Sequence, residues 1–297
     1  MDGCSLNTFP IMSASLLQLS NRVLNLAHPH VMGILNITPD SFSDGGELHG
    51  EQLDVTLQRV QQRAAAMLEE GVSLLDVGGE STRPGAAEVS VDEELRRVVP
   101  VIEALTQGGA TVSVDTRRAQ VASQALAAGA HLINDVSAGA DPQMLEVVAG
   151  SDAAYCLMHM QGTPQTMQKA PAYDEVVDDI YRYLAERVNA CVAAGVPESR
   201  LLVDPGFGFG KTLSHNLALL QNLSRFRSLG CGVLAGISRK SMLGQITGRE
   251  VHEREAASLA AAVIALERGA HILRVHDTGA TMDAVRVWCA ERGIERH

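Results

Sequence analysis

Paired cysteines, a basic face and a long apolar run are all missing from this chain, and each absence narrows what it can be. The five cysteines, Cys4, Cys156, Cys191, Cys231 and Cys289, are scattered, odd in number and free of Cys-x-x-Cys spacing. That pattern speaks against a disulfide framework and a structural zinc site, and it fits a reducing cytoplasm. A formal net charge of -11 provides no basic surface of the kind that displaces counterions from nucleic acid. An anionic ligand therefore has to be met by a few local cations. No apolar run approaches the length of a bilayer span, and the first twenty residues lack the basic segment and compact apolar stretch of a signal peptide. The expectation is a cytoplasmic protein with neither a nucleic-acid nor a membrane partner. No Ser or Cys stands in a nucleophile elbow either, so covalent catalysis is not indicated.

What is present is a rhythm. From Val31 onward short apolar runs alternate with longer segments of helical periodicity: Val31–Thr38, Leu74–Gly78, Thr111–Asp115, His131–Val136, Ala153–His159, Leu201–Asp204, Val233–Ser238 and Ile272–Asp277. The intervening segments carry apolar faces such as Leu53, Leu57, Val60, Ala64, Met67 and Leu68, and the spacing predicts further helices over 173–194, 215–228, 253–268 and 280–290. Ser90-Val91-Asp92-Glu93 has the spacing of a capping box. Strands that read as nearly continuous Val, Ile and Leu are buried on both faces and therefore parallel. Eight strand–helix units without a linker predict one α/β (β/α)8 TIM barrel over residues 31–297, preceded by a leader, 1–30, whose two short apolar runs around Ser20-Asn21-Arg22 form a hairpin plugging the bottom. A doubly wound sheet is the alternative, but it needs a Gly-rich turn after the first strand, and Asn36-Ile37-Thr38-Pro39 is not one.

Barrel chemistry sits at the C-terminal ends of the strands. Here those ends carry Asn36, Asp115, Asn134, His159, Asp204, Ser238 with Lys240, and Arg274 with His276, with Thr82 and Arg83 on the second loop. Polar strand ends are common wherever chain emerges into water, but eight together point to a site. Asp204 leads into Pro205-Gly206-Phe207-Gly208-Phe209-Gly210-Lys211. This stretch imitates a phosphate loop but fails it, because Pro205 stands where the first glycine belongs. It reads as a binding floor, with flexible backbone beside Phe209.

Four long segments now carry a resemblance. Asn36–Gly46, Asp76–Gly85, Asp204–Lys211 and Ser238-Arg239-Lys240-Ser241 resemble, in that order, the signature segments of the dihydropteroate synthase family, and the similarity runs from about His28 to the last helix. The resemblance implies a (β/α)8 barrel that joins 6-hydroxymethyl-7,8-dihydropterin diphosphate to 4-aminobenzoate with Mg2+, releasing diphosphate, and that is typically a homodimer and a sulfonamide target. A pterin presents a ring N–H beside an exocyclic amine, an edge that suits a carboxylate accepting two parallel bonds, and Asp204 has the type and place for it. By resemblance, Asp115, Asn134 and Lys240 supply further pterin contacts; Phe209 and Met158 are expected to line the pocket, with a core role for Met158 the equal alternative. Asn36, Thr82, Arg83, Arg274 and His276 take the diphosphate, Asn36 also holding the metal. Phe42, Arg83, Pro84, Phe209, Ser238 and Lys240 surround 4-aminobenzoate. Asp115, Lys240, Arg274 and His276 are the residues expected to carry the chemistry. Ser238 is expected to end the seventh strand, with a helix opening after Lys240.

Two rivals remain at this point. A pterin-dependent methyltransferase barrel would share the fold but not need Arg83, Arg274 and His276, and a non-catalytic barrel would lack Asn36, Asp115, Lys240 or Arg274. His159 is expected to be a neutral imidazole rather than a metal ligand, and Asp76 a structural partner for a barrel lysine or backbone group. Cys156 and Cys231 read as small buried hydrophobes, and Glu80 is left open.

Overall fold

The computed structural model describes residues 16–37, 51–81 and 88–294. Two strands, β1 (Leu16–Leu19) and β2 (Arg22–Asn25), pair antiparallel around a turn in which Ser20 adopts a φ of 53°. Eight parallel strands follow: β3 (His30–Asn36), β4 (Leu74–Gly78), β5 (Val112–Asp115), β6 (Leu132–Asp135), β7 (Ala154–Met158), β8 (Leu201–Asp204), β9 (Gly232–Ala235) and β10 (Ile272–Val275). They close in chain order, β10 pairing with both β9 and β3. The fold is the expected TIM barrel with a small N-terminal hairpin.

The described helices are α1 (Glu51–Glu70), α2 (Val91–Gln107), α3 (Ala119–Ala127), α4 (Met144–Ala149), α5 (Val176–Ala193), α6 (Leu213–Gln221), α7 (Ser241–Thr247), α8 (Glu255–Glu267) and α9 (Thr278–Glu291). Val60, Ala64 and Met67 of α1 face the sheet, while Leu68 is exposed. Only half of the capping box forms on α2: Ser90 Oγ accepts from Glu93 N, but the Glu93 carboxylate turns to Arg96 and Arg97. The predicted 173–194 helix starts three residues late because Tyr173 donates to Gly210 O, and the amides of Asp174 and Glu175 are taken by Asp179. The 215–228 segment divides into α6 and a 3-10 turn over 223–229.

Successive strand residues face opposite ways, so inward positions are alternate ones. Outward-facing side chains pack under the helices in one large core, and inward ones at the lower end form a second. There Leu17 and Leu19 of the hairpin and Leu26 meet Met32, Leu74, Leu132, Leu202, Leu234 and Ile272, all buried. Each such leucine contributes about 1.5–3 kcal/mol through loss of apolar surface. The hairpin is further tied by Ser20 N to Asp152 O (2.9 Å) and by Arg22 to Thr111 Oγ1 (2.8 Å) and Gly109 O (2.7 Å). One end of the barrel is thereby closed with hydrocarbon, leaving the other for polar groups.

Candidate active site

Two residues further along the same strands, the inward positions change character. Leu74 gives way to Asp76, Ser113 to Asp115, Leu132 to Asn134, Leu202 to Asp204 and Ile272 to Arg274, so the pleat assembles the upper floor from β4, β5, β6, β8 and β10. At its centre Arg274 donates through Nε to Asp76 Oδ2 (2.5 Å) and through Nη2 to Asp115 Oδ2 (2.6 Å). Asp76 Oδ2 also accepts from Asn134 Nδ2 at 3.1 Å. Asp76 is fully buried, and its partner is thus an arginine and an amide, not the lysine or backbone group expected. Burial disfavours the charge on Arg274, but the two carboxylates outweigh it and raise its pKa. Burial, opposed by Arg274 and reinforced by Asp76, pushes Asp115 up to about 7. Asp115 is not a helix cap: Ala119 N, at the start of α3, is taken by Asp141 Oδ2 instead.

Asp204 is buried, and its Oδ1 accepts from Gly206 N at 2.7 Å. Burial raises its pKa, against Lys240, the Gly206 amide, Lys211 and Arg274. The loop that follows is not free backbone. Gly206, Gly208 and Gly210 all have positive φ, and a Cβ at Gly206 would collide with His159 O. Asn216 Oδ1 accepts from Gly208 N (2.8 Å), Gln168 donates to Gly208 O (2.5 Å) and Tyr173 to Gly210 O (2.8 Å). The glycines therefore buy close approach between two loops, not mobility. Lys240 Nζ donates to Phe207 O and stands 4.5 Å above the Phe209 ring. Burial lowers its pKa to about 8, although Asp204 opposes the shift. Met158 is buried at the end of β7, level with Asp204.

Ser238 does not end a strand. β9 stops at Ala235, where its register with β10 ends, and the chain turns through Lys240 N to Ile237 O with Arg239 at a φ of 57°. Ser238 Oγ meets His276 Nδ1 at 3.1 Å and accepts from His276 N at 3.2 Å. Arg274 and His276 thus engage different partners, one inside the barrel and one at its rim. The expected helix does open after Lys240, as α7. His159 is the buried, neutral imidazole expected, its pKa lowered to about 3 by burial and by Lys211. Asn36 ends β3, half-buried. Glu80 accepts from Arg117, Arg118 and Val89 N at the base of the second loop, and Arg118 also pairs with buried Glu94. Phe42, Thr82, Arg83 and Pro84 lie outside the described residues.

Two groups on this floor go beyond their sequence reading. Asp76 looked like a mid-strand residue, although its place two positions before Gly78, on the face of Asp115's neighbours, was a usable signal. Lys211 follows a run of glycines, and nothing in the local sequence marks it as buried.

The profile of the pterin-binding enzyme family matches residues 32–276. The chain belongs to the dihydropteroate synthases of that family. It is 51% identical over 265 residues to the dihydropteroate synthase of Escherichia coli (strain K12), covering 89% of this chain and 92% of that one. Among solved structures, the Yersinia pestis dihydropteroate synthase in a sulfonamide drug complex has a TM-score of 0.87 and 48% identity, covering 94% of this chain and 99% of its own. The Xanthomonas albilineans dihydropteroate synthase with 4-aminobenzoic acid has a TM-score of 0.86 and 48% identity, covering 95% and 100%. The family's activity is a transferase step of folate biosynthesis, the condensation of a dihydropterin diphosphate with 4-aminobenzoate to dihydropteroate. Neither the methyltransferase nor the non-catalytic reading survives this match.

Proposed function

We propose that the condensation runs on the floor formed by Asp204, Asn134, Asp115, Lys240 and Arg274, by dissociative substitution. The observation that carries this reading is the convergence of two buried carboxylates on Arg274 beside a separately prepared Asp204. Asp204 accepts the pterin's amidine-like edge, with Asn134 and Asp115 beside it, Lys240 on the ring acceptors and Met158 and Phe209 lining the ring. Arg274 and His276, with Thr82 and Arg83, receive the diphosphate, where fixed cations favour the charge that develops. The methylene C–O bond breaks and its electron pair leaves with diphosphate. The resulting cation is spread over the electron-rich dihydropterin and is favoured by the nearby Asp115 carboxylate. The aniline lone pair then closes the C–N bond, and its proton passes to water. Ser238, Phe42, Pro84 and the Lys240 stem surround 4-aminobenzoate, so sulfonamides compete with it.

Mg2+ fits this site. A Cβ at Gly78 would lie 3.6 Å from Asn36 Oδ1 and 3.4 Å from Asp115 Cβ, so the glycine leaves room for a small group beside a hard oxygen donor. Asn36 would hold the ion, which when bound would neutralise diphosphate charge. The enzyme works in the cytoplasm on small molecules, and no described helix is long and apolar enough to cross a membrane. Exposed Ile264 and Val287 on α8 and α9 support a C2 homodimer, which sedimentation at micromolar concentration would test. The deciding assay follows dihydropteroate and diphosphate together, from dihydropterin diphosphate and labelled 4-aminobenzoate. Product that is lost with EDTA and restored by Mg2+ supports the reading, whereas undiminished product in EDTA removes the metal from it.

A further inference from the structure

We propose that Lys211 is the positioning residue of the pterin end of the site: an ammonium that sets the Asp204–Lys211 loop and keeps Asp204 ionised for its ligand. The inference rests on the reading of Asp204 as the pterin acceptor and adds the group that prepares it. Lys211 is 3% exposed, a rare state for a lysine without partners. Its Nζ lies 3.0 Å from His159 Nδ1, 3.3 Å from His159 O and 2.9 Å from Phe209 O. Three acceptors match the three protons of an ammonium, since both carbonyls only accept and a neutral His159 offers Nδ1 as a lone pair.

None of these partners is anionic, and burial pulls the Lys211 pKa well down, so the charge is held against that cost by Asp204 at one remove, with Lys240 opposing. Gly206 stands between: its amide donates to Asp204 Oδ1 at 2.7 Å, and a Cβ on it would lie 3.3 Å from Lys211 Nζ. An ammonium held one peptide away stabilises the carboxylate without occupying the oxygen faces that a ligand needs. Asp204 is also faced by Lys240 from the β9–α7 loop, by Arg274 from β10 and by the Cys156 thiol from β7, while Lys211 itself faces Asp204, Lys240, His159 and His215. Lys240 and Arg274 are placed to turn to substrate, whereas Lys211 is sealed beneath the loop and stays. Its bond to Phe209 O also fixes the residue whose ring lies under Lys240, so one buried cation sets both the charge and the shape of the floor.

The test is calorimetric binding of the dihydropterin diphosphate from about pH 5 to about pH 9, a range chosen to include the limb of a raised carboxylate, with wild type, Lys211→Met, Lys211→Arg and Asp204→Asn. Wild type loses affinity on acidification as Asp204 takes a proton. In Lys211→Met that limb moves up by about one pH unit, and Lys211→Arg, which restores a cation, brings it back toward wild type. A packing role alone weakens Lys211→Met at every pH and leaves the limb in place, and that result overturns the proposal. An Asp204→Asn protein that binds like wild type defeats the reading of the site instead, and takes this inference with it. Should Lys211→Met not fold, wild-type protein decides: the Nζ chemical shift of Lys211 at neutral pH must be that of an ammonium, and a neutral amine sinks the idea.

Discussion

Leu202 and Asp204 stand two residues apart on β8, both facing the barrel interior and both buried, yet they belong to ends of the barrel with opposite physics. Below, the inward residues are mostly apolar, Ser113, whose hydroxyl has no partner among the described residues, being the exception, and are sealed by Leu17 and Leu19 of the hairpin, so that level chiefly stabilises the fold. Above, the same pleat delivers Asp76, Asp115, Asn134, Asp204 and Arg274, whose burial is costly and is offset where they pair, as Arg274 does with Asp76 and Asp115, although Asp76 Oδ1 is left without a partner among the described residues. Stability and chemistry are therefore stacked along one set of strands, and substitutions at the two levels should separate them. The largest effect belongs to Arg274→Ala. It removes the cation proposed for diphosphate and strands Asp76 and Asp115, so turnover should fall by about a thousandfold, with about 3–5 kcal/mol of stability lost from the broken buried pair. Near-wild-type turnover in the folded variant would refute the diphosphate role.

The comparison is sharpest on β8 itself. Leu202→Ala opens a cavity against Leu26 and Gly232 and should cost about 2–5 kcal/mol in denaturant unfolding, with KM for both substrates little changed. Asp204→Asn keeps shape and opens no cavity, so its main signature is pterin diphosphate affinity lower by about a hundredfold, as expected when a charged bidentate acceptor is lost. If the two variants exchange these signatures, the division into a stabilising end and a chemical end is wrong.

Much of this division was legible in sequence because it is local. Alternation and continuous Val, Ile and Leu runs placed all eight strands, and the residues ending them named the floor. What was hidden depends on partners far apart in the chain. Arg274 and Asp76 are 198 positions apart, so the strand carrying Asp76 shows a buried carboxylate but not its cation. Lys211 meets His159 across 52 positions, and a lysine after glycines looks solvated until the facing loop is known. The same glycines suggested flexibility, since a positive φ and a close approach to another chain segment look alike in sequence. Ser238 reads as the end of the strand because Gly236-Ile237 continues an apolar run after the β9–β10 ladder has stopped at Ala235.

A smaller effect tests whether charge at the upper end does the work assigned to it. Asp115, at about 7, must be ionised to favour the pterin cation, so turnover should decline as pH falls below that value. Lys240, at about 8, must stay protonated to donate to the ring, so pterin binding should decline as pH rises above it. The expected profile is a narrow bell, each limb approaching about tenfold per pH unit. Asp115→Asn should flatten the acid limb of kcat, and an unchanged limb in that variant would assign the titration to another group.

The smallest effect lies at the lower end, where titration touches stability and not turnover. His271 Nδ1, just ahead of β10, accepts from Val233 N of β9 at 2.9 Å, and burial, with Arg227 and His30, lowers its pKa to about 4. Unfolding lets this imidazole take a proton between its unfolded value near 6.5 and about 4, so it stabilises the fold fully above the upper value and progressively less as pH falls. Asp115 acts in the opposite sense: its folded value lies above its unfolded one, so the folded state gains protons, and relative stability, on the same acidification. The two ends of one barrel should thus answer acid with opposite signs. Replacing His271 by Asn, which keeps an acceptor for Val233 N but cannot titrate, should recover about 1–2 kcal/mol of the stability lost between neutral pH and pH 5. Unfolding curves for His271→Asn and Asp115→Asn that shift in the same direction with pH would break the contrast between the two ends.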